Sequence, residues 1–403
     1  MTVEIGILNS NCVVLAADSA VTVGNIKVYN NSNKIFQLSK YEPVGIMIYN
    51  NASIMNVPVE QIVKMYRTNL GRRSFDTLKE YCDDFINFIN GQISCNSEIN
   101  QIEYLRICLN NIINEYNKIT ENITNVDKLK RVSNIYQSSP KITPAYEYIE
   151  IESKYRQELI NYCIDKIDCS QREVVDELMH CTVNYLNSTL FYSYVGVAIS
   201  GYGRSELFPK MYHFFAEGIL GDKLKYDYCN DEILIGNQLN AIIKYFAQSD
   251  DIINIVQGIN PKFKEVILSN TNTTFNLLPE IIDVEFKNTN QDLSDDQKKI
   301  LLRLCNDLKS TNCNTIEDYS QNKMVDPMLD AVALMSKEDL AELAESLIKI
   351  ATLKRKASFE LETVGGPVDV AVITKGDGFI WINRKFYFDK ELNYNFFNRE
   401  RGN

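Results

Sequence analysis

Histidine is scarce in this chain, which has 403 residues but only His180 and His213. So few histidines leave little room for a histidine-rich metal centre or for a catalytic cysteine–histidine pair. The ten cysteines are scattered, and no two of them form the Cys-x-x-Cys pair that zinc sites usually need. We therefore expect neither a metal ion nor a cofactor.

Long apolar runs and dense basic runs are also missing. No stretch of about 18 apolar residues is present, so we expect no membrane span. The chain opens without a basic region followed by an apolar stretch, and Glu4 stands where that stretch would begin, so we expect no secretory signal. Nucleic-acid binding needs a basic surface, and the formal net charge of this chain is −11, so we expect no nucleic-acid partner. These absences predict a cytoplasmic protein with reduced thiols.

The composition is that of an ordinary folded protein. Hydrophobic residues make up 45% of the chain and charged residues 24%, which is typical of globular domains. The length allows a large single domain with an insertion, or two domains.

Hydrophobic spacing predicts strands at both ends of the chain, with helices between them. Apolar runs bounded by turn residues predict strands at 3–9, 12–17, 25–29, 34–38, 43–49, 192–200, 209–215, 368–374 and 379–382. Apolar residues at steps of three and four predict helices at 57–89, 102–116, 171–189, 237–258, 295–308 and 324–354. Ser336 is a good N-cap inside the last of these regions. This layering predicts the α+β class.

Three polar residues stand at the boundaries of the first predicted strands: Thr2 opens the first, Asp18 ends the second, and Lys34 begins a later one. Their spacing, without any gap, resembles the catalytic triad of proteasome β-subunits and their bacterial relatives, which are amino-terminal-nucleophile hydrolases. Further segments resemble that family in the same order along the chain, namely 13–19, 22–25, 34–38, 199–203, 209–212, 336–349 and 364–373.

The resemblance implies a fold and a division of the chain. The implied fold is a four-layer αββα sandwich of two antiparallel sheets, carrying a helical insertion. One proteasome-like domain would span 1–403, with core segments at about 1–90, 171–258 and 324–390. Residues 91–170 and 260–320 have no counterpart in the family. We expect the first to be a helical insertion and the second a mostly helical one.

A threonine at the start of a chain can act as a nucleophile, because the free α-amino group can take its hydroxyl proton. That amine has an unperturbed pKa near ~8, so a modest downward shift leaves it neutral in the cell. Lys34 would lower the pKa of the amine further and stabilise the developing alkoxide, while Asp18 would keep Lys34 charged and in place. Met1 must first be removed, which the small side chain of Thr2 permits.

The resemblance also implies supporting residues. Backbone N–H groups near Tyr49 and Asn50 would stabilise the oxyanion, although the family usually has glycine at this loop. Glu360 and Glu362 are the nearest candidates for a supporting aspartate. Gln248 lies in the region of a supporting serine loop.

The leading hypothesis is a threonine-type hydrolase that cleaves peptide or amide bonds through an acyl-enzyme. The resemblance implies a ring-like homo-oligomer, a peptide or protein as substrate, and an ATPase or another protein as a possible partner. One alternative is a catalytically inactive subunit that serves as an assembly scaffold or binds a partner. Another is a small-molecule amidase on the same fold.

Overall fold

The computed structural model describes residues 2–23, 27–91, 97–143, 145–167, 169–229, 233–236, 239–247, 249–359, 364–395 and 397. The strands are β1 Val3–Asn9, β2 Cys12–Ala17, β3 Val21–Val23, β4 Lys27–Tyr29, β5 Ile35–Gln37, β6 Val44–Asn50, β7 Ser53–Ile54, β8 Val57–Pro58, β9 Val195–Gly201, β10 Lys210–Leu220, β11 Lys223–Tyr228, β12 Ile233–Leu234, β13 Ala241–Ala247, β14 Asp369–Thr374 and β15 Gly378–Asn383. The helices are α1 Val59–Leu70, α2 Leu78–Gly91, α3 Glu98–Lys118, α4 Asn125–Ser138, α5 Tyr148–Cys163, α6 Arg172–Asn187, α7 Asp250–Gln257, α8 Pro261–Asn288, α9 Asp295–Ser320, α10 Asp326–Leu334 and α11 Lys337–Lys356.

Two antiparallel sheets form the centre of the molecule. The first has five strands in the order β13-β1-β2-β14-β15, and the second has the order β11-β10-β9-β6-β5, with β12 paired to β10. Strands β1 and β2 are buried along their whole length. Near-continuous apolar runs such as Cys12–Ala17 fit strands that are covered on both faces.

The sheets face each other across an apolar layer. Leu15 and Ile373 of the first sheet and Met47 and Met211 of the second belong to this layer. The outer face of the first sheet packs against α7, α10 and α11, whose buried residues include Leu340. Helices α1 to α6 cover the outer face of the second sheet. The expected α+β class with two antiparallel sheets is confirmed.

The region predicted to be one helix at 237–258 is a strand followed by a short helix, so the prediction was wrong for its first part. Residues 241–247 form β13, which pairs with β1 along its whole length, and only Asp250–Gln257 is helical. The doublets Ile242-Ile243 and Tyr245-Phe246 satisfy helical spacing, yet they equally suit a strand between two layers. Hydrogen bonding to the edge of β1 stabilises the strand conformation of residues 241–247.

Other boundaries also differ from the predicted ones. The helical region at 57–89 is two helices, α1 and α2, separated by residues 71–77. The strand predicted at 209–215 continues to Leu220. Ser336 is the N-cap of α11 and accepts a hydrogen bond from the Asp339 backbone N–H at 3.2 Å, as expected.

Helices α8 and α9 run antiparallel and form a long hairpin, residues 261–320. Lys264 near the start of α8 pairs with Glu317 near the end of α9, and Asp283 near the end of α8 pairs with Lys298 near the start of α9. Helix α8 contributes no buried residue. In the described part of the chain, none of the helices has both the length and the apolar character needed to cross a bilayer.

Candidate active site

Strand pairing brings Thr2 and Asp18 together. Thr2 precedes β1 and Asp18 follows β2, and these antiparallel strands place Glu4 opposite Ala17. The start of β1 and the end of β2 therefore lie at the same end of the first sheet. The Asp18 backbone N–H donates to the Val3 carbonyl at 3.2 Å, which extends the pairing by one step.

Lys34 comes from the second sheet, immediately before β5. Its Nζ lies 2.5 Å from Asp18 Oδ1, so the ion pair joins the two sheets. The Ile48 backbone N–H donates to the Lys34 carbonyl at 2.9 Å, which fixes Lys34 relative to β6. Lys34 is 3% exposed and Asp18 is 1% exposed.

Backbone donors surround the Asp18 carboxylate. Oδ1 accepts from the Val3 N–H at 3.2 Å, while Oδ2 accepts from Ala20 at 3.3 Å and from Gly365 at 2.8 Å. A carboxylate with three backbone donors is held in one orientation. Asp18 can therefore hold the Lys34 ammonium in one place.

The Thr2 hydroxyl makes its hydrogen bond to a residue that the sequence analysis did not select. Thr2 Oγ1 donates to Glu4 Oε1, and the same oxygen lies 3.3 Å from Lys34 Nζ. Thr2, Glu4, Lys34 and Asp18 thus form one chain of contacts, in which Glu4 links the predicted nucleophile to the predicted lysine. The signal in the sequence was a charged residue in an apolar strand, two positions from Thr2 and therefore on the same face.

Burial changes the acidity of Glu4. Its side chain is inaccessible to solvent, and desolvation raises the pKa from 4.5 to about 8. Lys34 opposes this rise in the pKa, while the neighbouring Asp18 adds to it. Glu4 Oε2 has no hydrogen-bond partner among the described residues. The proton therefore stays on Glu4 at neutral pH in most molecules.

The expected oxyanion residues lie at the end of β6. Tyr49 turns its ring into the layer between the sheets, where its hydroxyl is 2.5 Å from His213 Nε2. Asn50 has a positive φ of 67°, a conformation that asparagine tolerates better than most residues. The Asn50 side chain and the Asn51 N–H both donate to the Tyr194 carbonyl, at 2.9 and 3.2 Å. The backbone therefore turns sharply at Asn50, one of the two residues predicted to stabilise the oxyanion.

A buried ion pair supports the segment that holds this turn. Lys225 Nζ lies 3.1 Å from Glu217 Oε2, and both side chains are inaccessible or nearly so. Glu217 Oε1 accepts from the backbone N–H groups of Tyr192 and Ser193, each at 3.1 Å. Residues 192–194 are therefore anchored from the interior. No pattern in the sequence predicted this network.

The three supporting residues, Gln248, Glu360 and Glu362, lie outside the described residues. The adjoining loop is described from Val364, which is buried. Its Gly365 N–H is one of the donors to Asp18. No group of three or more potential metal ligands occurs among the described residues.

Solvent has little access to Thr2, which is 2% exposed. A cavity of about 470 Å³ borders the same region, with Asn33, Ile35, Asp369 and Lys385 in its lining. Lys385 closes one wall of this cavity by donating to Asp369 through its backbone N–H, at 2.8 Å, and through its side chain.

Comparisons with known proteins give distant structural neighbours alone. No protein-family model matches the chain, and no curated protein matches its sequence. Among solved structures, Anbu (ancestral beta-subunit) from Yersinia bercovieri is 9% identical, with 98% of this chain and 94% of that chain covered, at a TM-score of 0.31. An Anbu (Gly-1) mutant from Hyphomicrobium sp. strain MC1 is 8% identical, with 100% and 95% covered, at a TM-score of 0.30. At TM-scores this low, these neighbours support no statement about the function of this chain.

Proposed function

We propose that this protein is a threonine-type amino-terminal-nucleophile hydrolase, which cleaves peptide or amide bonds after removal of Met1. The observation that carries the proposal is the buried chain of contacts from Thr2 through Glu4 and Lys34 to Asp18. Isolated buried charges are costly. A cluster of them beside a hydroxyl at the start of a strand is therefore a candidate for catalysis.

The proposed reaction proceeds in two steps. Thr2 Oγ1 attacks the substrate carbonyl, the amine leaves, and water then hydrolyses the resulting ester. Backbone N–H groups at Tyr49 and Asn50 stabilise the oxyanion. Lys34 stabilises the developing alkoxide, and Asp18 orients Lys34. The resemblance to amino-terminal-nucleophile hydrolases implies that the α-amino group freed by removal of Met1 is the base.

The proposal extends to the organisation of the chain. The core would be a proteasome-like αββα sandwich formed by about 1–90, 171–258 and 324–390. The helical segments 91–170 and 260–320 would be insertions into it. We propose a cytoplasmic, ring-like homo-oligomer that acts on a peptide or protein, with an ATPase or another protein as partner. Light scattering that reports a monomer at micromolar concentration would contradict the ring.

The decisive experiment compares the wild-type protein with Thr2→Ala. Intact mass first establishes whether Met1 is removed. We expect Thr2→Ala to lose hydrolysis of a fluorogenic peptide library by at least about 10³-fold, because no other group replaces the nucleophile. Thr68→Ala is the matched control, since it removes an exposed hydroxyl from α1 and should leave the rate unchanged. Equal activity of Thr2→Ala and wild type would refute the proposal.

The burial of Thr2 favours the scaffold alternative as the second candidate. A nucleophile that is 2% exposed in the folded chain suits a subunit that kept the fold without the reaction. In that case wild type and Thr2→Ala would assemble alike and neither would hydrolyse any substrate. A small-molecule amidase would instead act on small amides and lose that activity with Thr2→Ala.

A further inference from the structure

Glu4 occupies the place that a general base for Thr2 would need. The Thr2 hydroxyl has a single hydrogen, and in this structure it is directed to Glu4 Oε1. Glu4 and Thr2 are on the same face of β1, and the strand register holds Glu4 opposite Ala17. The strand backbone therefore places the two side chains next to each other on one face.

We infer that Glu4, and not the α-amino group, accepts the proton of the Thr2 hydroxyl, so that Thr2 can react while Met1 is still attached. The inference rests on the proposed function for its nucleophile, although it does not need removal of Met1. It assigns Glu4 as a catalytic residue because its carboxylate contacts the reacting oxygen.

The proton balance can be followed through both steps. As Thr2 Oγ1 bonds to the carbonyl carbon, its proton passes to Glu4 and the carbonyl electron pair moves to the oxygen. The tetrahedral intermediate collapses, the C–N bond breaks, and protonated Glu4 gives its proton to the leaving amine. In the second step Glu4 takes a proton from water, whose oxygen attacks the ester, and then returns that proton to Thr2.

The neighbours of Glu4 suit this cycle. Lys34 Nζ lies 3.3 Å from Glu4 Oε1 and stabilises the ionised form that accepts the proton. Glu4 Oε2 has no hydrogen-bond partner among the described residues, so the proton can rest there between the steps. The pKa near 8 lies close to cellular pH, where a single group can both take and give a proton.

Burial is the main cause of the raised pKa of Glu4, and the neighbouring charges modify it. Asp18 opposes the ionisation of Glu4, whereas Lys34 and the positively charged amino terminus favour it. The base is active when Glu4 is deprotonated, so the rate should rise with pH and level off above about 8. The α-amino group would titrate over a similar range. A pH profile must therefore be combined with substitutions.

The test uses a fluorescent peptide vinyl sulfone, which alkylates an activated hydroxyl, with intact-protein mass spectrometry to locate the adduct. The labelling rate of the full chain is measured from pH 6 to 9.5. The compared proteins are wild type, Thr2→Ala, Glu4→Gln, Glu4→Asp and a wild-type sequence whose amino terminus is extended and cannot be trimmed. Glu121→Gln, an exposed glutamate paired with Arg131, is the matched control.

We expect the extended protein to be labelled on Thr2 at nearly the wild-type rate. Glu4→Gln should be labelled about 10²-fold to 10⁴-fold more slowly, which is the usual contribution of a general base, and should lose the inflection near pH 8. Glu4→Asp should retain an inflection at a reduced rate. The Glu121→Gln profile should be unchanged.

Three results would overturn the inference. One is labelling of Glu4→Gln at the wild-type rate with the same inflection. The second is labelling of the trimmed protein but not of the extended one, which assigns the base to the amine and remains informative if Glu4→Gln does not fold. The third is absence of a Thr2 adduct in wild type, or equal labelling of Thr2→Ala, which removes the proposed function as well.

Discussion

Three ionisable side chains share a dry site beside Thr2. Glu4 and Asp18 each carry a carboxyl group and Lys34 an ammonium, and all three are at most 3% exposed. Burial disfavours the charged form of a carboxyl group, and Lys34 Nζ lies closer to Asp18, at 2.5 Å, than to Glu4, at 3.3 Å. The Asp18 carboxylate has three backbone donors, whereas Glu4 Oε2 has no hydrogen-bond partner among the described residues. The proton therefore belongs on Glu4.

The protonation of Glu4 makes the free energy of unfolding depend on pH. The folded-state pKa of Glu4 is raised from 4.5 to about 8, so between these values the folded state holds a proton that the unfolded state has lost. The contribution of Glu4 to the free energy of unfolding is then greatest below about pH 4.5. This contribution falls as the pH rises towards 8, by up to about 1.4 kcal/mol per pH unit. Urea unfolding of wild type and Glu4→Gln at pH 5.5 and 7.5 should show a steeper loss for wild type. Equal slopes would contradict the assignment.

Asp18 should be the most costly of these residues to neutralise. Asp18→Asn leaves the Lys34 ammonium buried without its closest partner, and we expect a loss of about 3 kcal/mol in the free energy of unfolding. Urea denaturation at pH 7 measures this loss, and the exposed Glu121→Gln should leave the midpoint where it is. A change for Asp18→Asn below about 0.5 kcal/mol, within the range of surface substitutions, would mean that the ion pair contributes little.

At the scale of elements, short connections hold the strand ends in place. Asp18 follows β2, Lys34 precedes β5, and the loop before β14 brings the Gly365 N–H to Asp18. Ser19 fixes this loop to the end of β2. Its backbone N–H donates to the Gly365 carbonyl at 3.1 Å, and its hydroxyl donates to the Pro367 carbonyl at 2.5 Å. The glycine-rich loop is therefore part of the site's framework.

Position 366 of this loop has no room for a side chain. Its φ is +77°, and a Cβ built there would lie 2.9 Å from the Asn30 carbonyl oxygen. We expect Gly366→Ala to lose at least about 1–2 kcal/mol of stability and to slow Thr2 labelling, because the Gly365 donor moves. Gly376→Ala is the matched control, since a Cβ there meets no atom within 4 Å. Equal thermal midpoints for both variants would show that the loop can adjust.

At the scale of the whole molecule, the α8–α9 hairpin contributes little to the core. Helix α8 buries no residue and α9 buries only Cys305 and Ser320, among the residues described. The two ends of the hairpin meet, because Ser320 Oγ donates to the Gln257 carbonyl at 2.8 Å. This is the geometry expected of an insertion that joins a core at one point.

Excision of the hairpin tests that division of the chain. Replacing residues 259–319 with a short Gly-Ser linker between Gly258 and Ser320 should leave the cooperative thermal transition and Thr2 labelling nearly unchanged, because the removed residues bury little apolar surface. Calorimetry and light scattering measure the core and its association separately. Loss of the cooperative transition would place the hairpin in the core, whereas loss of association alone would assign it to the assembly.

Much of the fold could be predicted from the sequence, namely those segments whose hydrophobic pattern is compatible with only one kind of secondary structure. The continuous apolar run of β2 and the amphipathic α11 with its Ser336 cap are such cases, as is the order of strands and helices that gives the α+β class. β13 could not be predicted, because its apolar doublets fit a helix as well as a buried strand. Its partner β1 lies more than two hundred residues earlier, and only pairing selects the strand.

The sequence by itself determined that Thr2, Asp18 and Lys34 stand at strand ends, because strand boundaries follow from local spacing and turn residues. The contact between Asp18 and Lys34 was already expected from the resemblance, but only the tertiary structure showed that Glu4 meets Lys34. Glu4 and Lys34 are 30 positions apart in sequence, and their contact exists because two sheets stack face to face and exclude water between them. Burial then raises the pKa of Glu4, and burial is a property of the packed layers that no single segment contains.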